Sequence, residues 1–280
     1  MDKKLTCLAD LLIPVEKNIR ANTKYDYKEG KKRVLEILKN KMEIIENDKI
    51  PKDDAFTYDN GHYGWVTAIF VDMRDSSSLF ASGDKEKISK IVRCFASEII
   101  EILRDDDNLR EIGIRGDCVY AVYTTPYKSD IYQCANKTFC INTYLNMLNK
   151  LLNQYGFQPV KAGIGMSTAK ELVVKAGRKG TGINRTVWIG EAVAKASNLS
   201  SLGEKDFTSM EKALNSWRIF RERLVFSKSS YINFIDELKK AKSEAKNWFR
   251  EEYYSKNEII YCADIRDENF NDWINDGMRD

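Results

Sequence analysis

The most distinct apolar run in the chain covers residues 66–71, VTAIFV, which are rich in β-branched and aromatic side chains. Such a run has the length and composition of a buried strand, and it ends at Asp72. Residues 112–123, IGIRGDCVYAVY, predict two short strands joined at Gly116–Asp117, a dipeptide typical of a hairpin turn. These two segments form the predicted centre of the fold.

Helical periodicity flanks this centre. Residues 85–103 predict a helix with one apolar side, formed by Ile88, Ile91, Val92, Phe95, Ile99 and Leu103. The elements predicted after the hairpin are a helix at 129–154, a strand pair at 160–167 and 171–176, a glycine-rich basic loop at 177–185, a strand at 187–189 and a helix at 191–202.

The order strand–helix–strand–strand–helix–strand is the ferredoxin-like βαββαβ pattern, here with extra strands, and it predicts an α+β fold. Polymerase palms and cyclic-dinucleotide synthases share this order. The order therefore leaves the function open.

The two ends of the chain carry other patterns. Residues 1–62 predict a helix, a polar connection and a second helix, followed by a loop at 48–60. The apolar positions of these two helices are Leu8, Leu11, Leu12 and Val15, and then Val34, Leu35, Leu38, Met42 and Ile45. Residues 209–280 predict helices and one strand at 258–265. We therefore expect an N-terminal helical extension (1–62), a core domain (63–203) and a C-terminal helix-rich appendage (204–280).

Composition and charge narrow the classes of partner. The 45 Lys and Arg residues against 42 Asp and Glu residues give a net charge of only +3, which makes no strong case for nucleic acid. No apolar run has the length of a membrane span, so we expect no membrane partner. The six cysteines lack CxxC spacing and no export signal is recognisable, which predicts reduced thiols in a cytoplasmic protein. The single histidine, His62, lies in a turn-like segment, which favours a structural or solvated role over a metal site.

Two carboxylates carry the candidate chemistry. Asp72 follows the central strand and Asp117 lies at the hairpin turn, and strand ends are where a fold presents side chains to ligands. Together they could share hard divalent cations through oxygen ligands. The alternative is that Asp72 caps a following turn and Asp117 merely fills a tight one.

Three segments resemble the class III nucleotidyl cyclases. FVDMRDSS resembles their first metal-binding strand end, usually written F-x-D-I-x-G-F-T, and IRGDCVYAVY resembles their hairpin with the second metal aspartate. GRKGTGINRTVWIGEAVAKASNL resembles the pattern G-x-R-K…D-x-W-G-x-x-V-N-x-A-x-R-L. The three motifs follow in family order over residues 64–202. Their departures from the purine cyclases resemble the pyrimidine cyclases of Pycsar antiphage defence.

The resemblance implies two divalent metal ions, Mn²⁺ or Mg²⁺, bridged by Asp72 and Asp117 and completed by the Met73 carbonyl. It implies that the triphosphate meets the basic residues Arg178 and Lys179, with Arg185 a weaker candidate. The alternative is that Arg178, Lys179 and Arg185 are solvated loop residues without a function. The remaining substrate-binding candidates at the first motif are Phe70, Arg74, Asp75, Ser76 and Ser77.

Two departures concern the helix and the base. Ala194 stands where the family has its ribose-orienting Asn, and Asn198, a substrate-binding candidate, stands where it has its transition-state Arg. Arg185, Lys195 or Arg178 could take the place of that Arg, so Arg178 and Arg185 are catalytic candidates together with Asp72 and Asp117. The family position that reads purines falls at Glu111. A carboxylate accepts hydrogen bonds and pairs with the cytosine amine, so Glu111 favours CTP over UTP by a small margin.

The sequence thus predicts a homodimer with composite sites that converts a pyrimidine nucleoside triphosphate, CTP or UTP, to its 3′,5′-cyclic nucleotide as an antiphage signal. Three alternatives stay open. These are a UTP-specific uridylate cyclase, a degenerate cyclase domain that binds nucleotide or acts as a scaffold, and a polymerase-like or diguanylate-type transferase. The last of these lacks its own GGDEF-like signature in the chain.

Overall fold

The computed structural model of the 280-residue chain describes residues 19, 23–76, 84–204, 222–255 and 257–279. It divides into two compact units, residues 1–41 and 42–280. In the first unit, helix α1 covers Tyr27–Lys39, and the Asp26 side chain caps its N-terminus by accepting from the backbone N–H of Lys28 and Glu29. The predicted helix around Leu8–Val15 lies outside the described residues.

The second unit is built on one mixed sheet that carries helices on its faces. Its strands are β1 (Glu43–Glu46), β2 (Asn60–Met73), β3 (Leu109–Arg115), β4 (Cys118–Thr124), β5 (Ala162–Gly177), β6 (Asn184–Ile189), β7 (Leu224–Ser227), β8 (Arg250–Ser255) and β9 (Glu258–Ala263). Its helices are α2 (Lys85–Arg104), α3 (Lys128–Gln154), α4 (Glu191–Ser200), α5 (Lys228–Ala241) and α6 (Glu268–Asn275), with short 3₁₀ helices at Asp53–Ala55 and Ser243–Trp248.

The strand order is β3-β4-β2-β5-β7-β9-β8, with β1 added parallel to the start of β2 and β6 antiparallel to the end of β5. Strands β2, β4 and β5 pair antiparallel at the centre, whereas β5 and β7 pair in parallel. The element order confirms the predicted α+β fold with a ferredoxin-like βαββαβ core.

Strand β2 is buried on both faces, which explains its unbroken apolar run. Ile69 and Val71 face the larger core, which α2 and α3 help to form, whereas Val66, Ala68 and Phe70 face a second core beneath α4. Because side chains alternate along a strand, Asp72 and Arg74 continue the row that faces α4.

Three sequence predictions about elements were wrong or incomplete. The predicted pair at 160–167 and 171–176 is one continuous strand, because its backbone pairs with β2 without interruption from Ala162 to Val174. Inside the sheet, the Thr168 hydroxyl lies 2.8 Å from that of Thr67 and 3.0 Å from that of Ser230. The predicted second N-terminal helix ends at Lys39, and 43–46 instead pair as β1 with β2. The C-terminal segment adds three strands to the sheet rather than the single one predicted.

No helix in the described parts of the chain is long and apolar enough to cross a membrane.

Candidate active site

The two predicted aspartates lie at the same corner of the sheet. Asp72 is the penultimate residue of β2 and pairs with Cys118 on one side and Gly163 on the other. Asp117 precedes Cys118 in the two-residue turn between β3 and β4, where Gly116 adopts a φ of 65°. The hairpin therefore brings the second carboxylate next to the strand that carries the first.

The electrostatics of Asp72 reflect this neighbourhood. Burial raises the pKa of Asp72, the Arg74 guanidinium opposes that rise, and the Asp117 carboxylate adds to it. Two carboxylates that repel each other in a partly buried corner form an arrangement that a divalent cation would stabilise.

The donor set of this corner consists of hard oxygen atoms. Burial and the nearby Asp72 charge raise the pKa of the Cys118 thiol to about 12, so it stays protonated and is a poor metal ligand. Asp72, Asp117 and the backbone carbonyl of Met73 thus fit Mg²⁺ or Mn²⁺, which prefer oxygen ligands.

The turn after β2 holds the next predicted residues. The Arg74 guanidinium lies 3.1 Å from Asp72 Oδ2 and also donates to the carbonyl of Ser200 at the end of α4. Asp75 adopts a φ of 53°, a left-handed conformation, at the position where the family pattern has glycine. Ser76 follows Asp75 and is the last described residue of this segment, and Ser77 lies outside the described residues.

The predicted basic residues lie elsewhere in the same chain. Arg178 and Lys179 are exposed in the loop between β5 and β6, which a hydrogen bond from the Arg178 N–H to the Ile183 carbonyl closes at 2.9 Å. Asp72 pairs with Gly163 near the start of β5, whereas Gly177 ends that strand. At about 3.3 Å per residue, this stretch of strand has a length of roughly 46 Å.

Glu111 and Arg185 line a polar cavity of about 340 Å³ between β3, β6 and the 3₁₀ helix at Asp53–Ala55. The rest of its wall consists of Asp53, Phe56, Arg110, Ile112, Lys175, Asn184 and Thr186. This cavity joins the strand that carries the predicted base-reading position to the strand that follows the basic loop.

Both oxygens of Glu111 accept hydrogen bonds within the chain. The Tyr120 hydroxyl donates to Oε1 at 2.6 Å, and the Trp188 indole N–H donates to Oε2 at 2.7 Å. Burial and the Glu111 carboxylate raise the pKa of Tyr120 to about 12, so the hydroxyl keeps its proton at neutral pH. Phe70, a predicted substrate-binding residue, is buried and its ring stacks on Tyr120 with centroids 5.1 Å apart.

Helix α4 presents the two departures from the family pattern to solvent. Ala194 and Asn198 are both exposed and lie one helical turn apart. Between them, Lys195 forms an ion pair with Glu258 of β9. The structure therefore places Asn198 on the outer surface of α4 rather than beside Asp72 of its own chain.

Tyr120 and Asn184 are site residues that the sequence analysis missed. Trp188 matched the tryptophan of the third motif, but its partner across the sheet could not be read from spacing. Tyr120 lies within the second motif, but only the hairpin register between β3 and β4 shows that its hydroxyl reaches Glu111.

A second group of potential metal ligands, Glu222, Glu252 and Cys262, lies near the strands of the C-terminal segment. Arg250 forms ion pairs with both glutamates, at 2.7 Å in the case of Glu252. Arg250 therefore already supplies a positive charge to this group. This distinguishes it from the corner of the sheet that holds Asp72 and Asp117, which we call the aspartate corner.

The chain is similar to two curated proteins named uridylate cyclase. The one from Treponema porcinum is 45% identical over 257 residues, which cover 92% of this chain and 83% of the relative. The one from Gulbenkiania mobilis is 33% identical over 192 residues, covering 66% of this chain and 74% of the relative. No protein-family model matches the chain.

Two solved structures illustrate the fold that the chain shares. The adenylyl cyclase CyaB from P. aeruginosa has a TM-score of 0.52 at 17% identity, covering 72% of this chain and 95% of its own. A class III adenylyl cyclase-like ATP-binding protein from Pseudomonas aeruginosa has a TM-score of 0.60 at 13% identity. The match covers 90% of this chain and 49% of that protein. At these identities the likeness concerns the fold. With the two curated relatives, it shows that the chain is a nucleotide cyclase that belongs to the class III nucleotidyl cyclases, in the group that includes the uridylate cyclases.

Proposed function

We propose that this protein converts UTP to 3′,5′-cyclic UMP and pyrophosphate, with two divalent metal ions per site, in a homodimer whose active sites are shared between subunits. The observation that carries the proposal is the aspartate corner, Asp72 with Asp117, in a chain whose two curated relatives are named uridylate cyclases. We further propose that 63–203 form the catalytic domain, with 1–62 and 204–280 as extensions.

In this reaction the ribose 3′-oxygen attacks the α-phosphate and pyrophosphate leaves. Asp72, Asp117 and the Met73 carbonyl would hold the metal ions. Bound divalent ions would lower the pKa of the attacking hydroxyl and neutralise charge on the leaving oxygens. The backbone of Asp75 and Ser76 would contact phosphate oxygens, as turn amides do.

A shared site follows from the distance between the two halves of the predicted machinery. The basic loop with Arg178 and Lys179 lies at the far end of β5 from Asp72 in the same chain. A head-to-tail partner would bring its own basic loop and its own α4 to the aspartates. Arg178 and Lys179 would then neutralise the triphosphate, and Asn198 would face the ribose.

The cavity favours uracil over cytosine. The preference for cytosine assumed a carboxylate with all its lone pairs free, and each Glu111 oxygen already uses one of them to accept from Tyr120 or Trp188, which leaves Glu111 less able to accept from a base. Arg185, on the wall of the same cavity, offers only donors. Uracil presents the acceptor O4 where cytosine presents an amine, so a donor at this place selects UTP.

The resemblance to Pycsar pyrimidine cyclases supports a role for the cyclic nucleotide as a second messenger in antiphage defence, produced in the cytoplasm. A nucleotide-binding or scaffold module is the second candidate, and the exposed Ala194 and Asn198 on α4 favour it. That module would bind nucleotide without forming product.

The direct test incubates the purified protein with each of the four ribonucleoside triphosphates and Mn²⁺ and identifies the products by mass spectrometry. We expect cyclic UMP and pyrophosphate, and at least a hundredfold loss of turnover in Asp72→Asn and Asp117→Asn while both variants remain folded. Nucleotide binding without product would favour the scaffold, and retained turnover in Asp117→Asn would contradict the two-metal assignment.

The base assignment is tested by competition between UTP and CTP in the wild type and in Arg185→Met. Loss of a base contact should lower the UTP-to-CTP ratio of kcat/KM, whereas loss of a triphosphate contact should lower both values equally. Glu111→Gln serves as the companion variant. A wild type that prefers CTP would restore the argument that Glu111 reads cytosine.

A further inference from the structure

Helix α4 lies directly on the backbone of β5. A Cβ atom added to Gly165 would come within 2.2 Å of the Ala196 carbonyl oxygen, and one added to Gly163 within 2.0 Å of that of Ser200. These glycines allow an approach that other residues would prevent. The helix therefore has little freedom to shift along or away from the strand.

Charged side chains hold α4 at both ends. At the N-terminus, the fully buried Glu171 of β5 accepts a hydrogen bond from the Ala192 N–H. At the C-terminus, the Arg74 guanidinium donates to the Ser200 carbonyl. An anion at the first turn and a cation at the last complement the helix dipole.

Arg74 also contacts the aspartate corner. The same nitrogen, Nη2, that donates to Ser200 lies 3.1 Å from Asp72 Oδ2. This nitrogen carries two hydrogens, one for each acceptor. The Arg74 side chain is only 13% exposed, so both contacts lie in a region where charge-assisted hydrogen bonds are strong.

We propose that Arg74 is a positioning residue that couples the two active sites of one dimer by tying Asp72 to α4 within each chain. This inference rests on the proposed function, in which Asp72 belongs to one composite site and α4, with Asn198, belongs to the other. Arg74 then fixes the position of Asp72 in one site relative to the α4 surface that the second site uses.

Heterodimers separate the two halves of this role. In the first, an Asp72→Ala chain pairs with an Arg74→Met chain. The one remaining site contains the Asp72 of the Arg74→Met chain and the α4 of the Asp72→Ala chain, which Arg74 still contacts through the Ser200 carbonyl as in the reference. In the second, an Asp72→Ala/Arg74→Met chain pairs with the wild type, and the remaining site contains a normal Asp72 and the altered α4. The reference is Asp72→Ala paired with the wild type.

Both heterodimers should be slower than the reference by roughly tenfold or more, the factor expected from one charge-assisted hydrogen bond. Arg74→Lys, which keeps the charge but lacks the planar fork, should give a smaller loss in each. Arg104→Met is the matched control, because Arg104 forms an exposed ion pair at the end of α2. Loss in only one of the two heterodimers would overturn the coupling.

A readout without metal or substrate completes the test. Hydrogen exchange of the backbone amides at 196–203 should be faster in Arg74→Met than in the wild type and in Arg104→Met, and unchanged exchange would overturn the proposal. A separate pairing, Asp72→Ala with Arg178→Ala/Lys179→Ala, tests the composite site itself. If that pairing is inactive, the shared site and the coupling fail together; if it is active, a negative heterodimer result concerns Arg74 alone.

Discussion

His62, the only histidine in the chain, is buried at 5% exposure and takes a structural place in the fold. Its Nδ1 lies 2.7 Å from Asn47 Oδ1, and its ring meets Phe56 edge to face. Burial disfavours protonation of the ring and lowers its pKa, and a hydrogen bond to the Ala55 backbone opposes this only in part. The structure thus agrees with a structural role rather than a metal site.

The pKa of His62 should be measurably below its ordinary value of 6.5, because burial disfavours the charged ring. With one histidine, the imidazole C–H resonances in an NMR titration report this pKa without overlap. Since the unfolded chain takes up the proton first, stability should be complete above pH 6.5 and fall as the pH decreases below it. A titration midpoint at or above 6.5 would contradict the assignment.

At the same scale, the positions of the candidate residues could be predicted from the sequence better than their contacts. Asp72 lies at the predicted strand end and Asp117 in the predicted tight turn, because both features leave local signals. The left-handed Asp75 also coincides with a glycine of the family pattern. The contacts of Glu111 could not be predicted, since Tyr120 and Trp188 reach it from positions 9 and 77 residues away.

At the scale of elements, α4 shows how one buried carboxylate caps the N-terminus of a helix. Glu171 accepts from the Ala192 N–H with one oxygen, while the other has no hydrogen-bond partner in the described ranges. Burial raises the pKa of Glu171, and the backbone N–H groups of Ala192 and Val193 oppose that rise. The ionised form therefore caps the helix at a cost in desolvation.

Glu171 should make the wild type lose stability as the pH rises. Because its folded pKa is raised above the ordinary 4.5, the folded chain binds the proton more tightly, and the free energy of unfolding falls between pH 4.5 and the raised pKa. Glu171→Gln removes this titration, so the stability difference between wild type and variant should shrink as the pH rises through that window. Urea unfolding at several pH values measures it.

The control for this measurement is Glu191→Gln, which changes an exposed glutamate at the same helix end. A wild type and a Glu171→Gln variant that keep a constant stability difference from pH 4.5 to 7 would show that Glu171 does not titrate in the folded state over this range.

The ends of an element could be predicted where helical periodicity and capping residues agreed. They could not be predicted where pairing with a strand distant in the sequence determined them. Helices α2 and α3 match their predicted ranges within one residue. Thr168 and Lys170 lie in the interval that the sequence pattern left between two strands, yet β5 pairs with β2 throughout this interval. Thr168 joins a buried cluster of hydroxyl groups, and Lys170 forms an ion pair with Glu46. Residues 43–46 became a strand because β2 offered a parallel edge to pair with.

At the scale of the whole molecule, the C-terminal segment extends the catalytic sheet. Strand β7 pairs in parallel with β5 next to Gly165, and β9 and β8 continue from it. Sequence periodicity could not reveal this, because the register of a parallel pair depends on residues far apart in the chain. The segment also supplies Glu258, which pairs with Lys195 of α4. The sheet extension therefore supports the helix that carries Asn198.

The proposed shared active site yields the last prediction, which concerns two chains at once. Asp72 and the basic loop lie at opposite ends of β5. We therefore expect a chain that lacks Asp72 and a chain that lacks Arg178 and Lys179 to be inactive, each on its own. A heterodimer of the two contains one site with every group intact. Mixing should restore up to about a quarter of wild-type turnover, because half of the randomly formed dimers are mixed and each has one working site of two.

The control mixes two different inactivating substitutions at one corner, Asp72→Ala with Asp117→Ala, which no heterodimer can complement. Restored activity in that control, or full activity of an isolated monomer, would show that each chain holds a complete site. Because the proposed site needs groups from two chains, the specific activity of the wild type should also fall on dilution below the dissociation constant of the dimer.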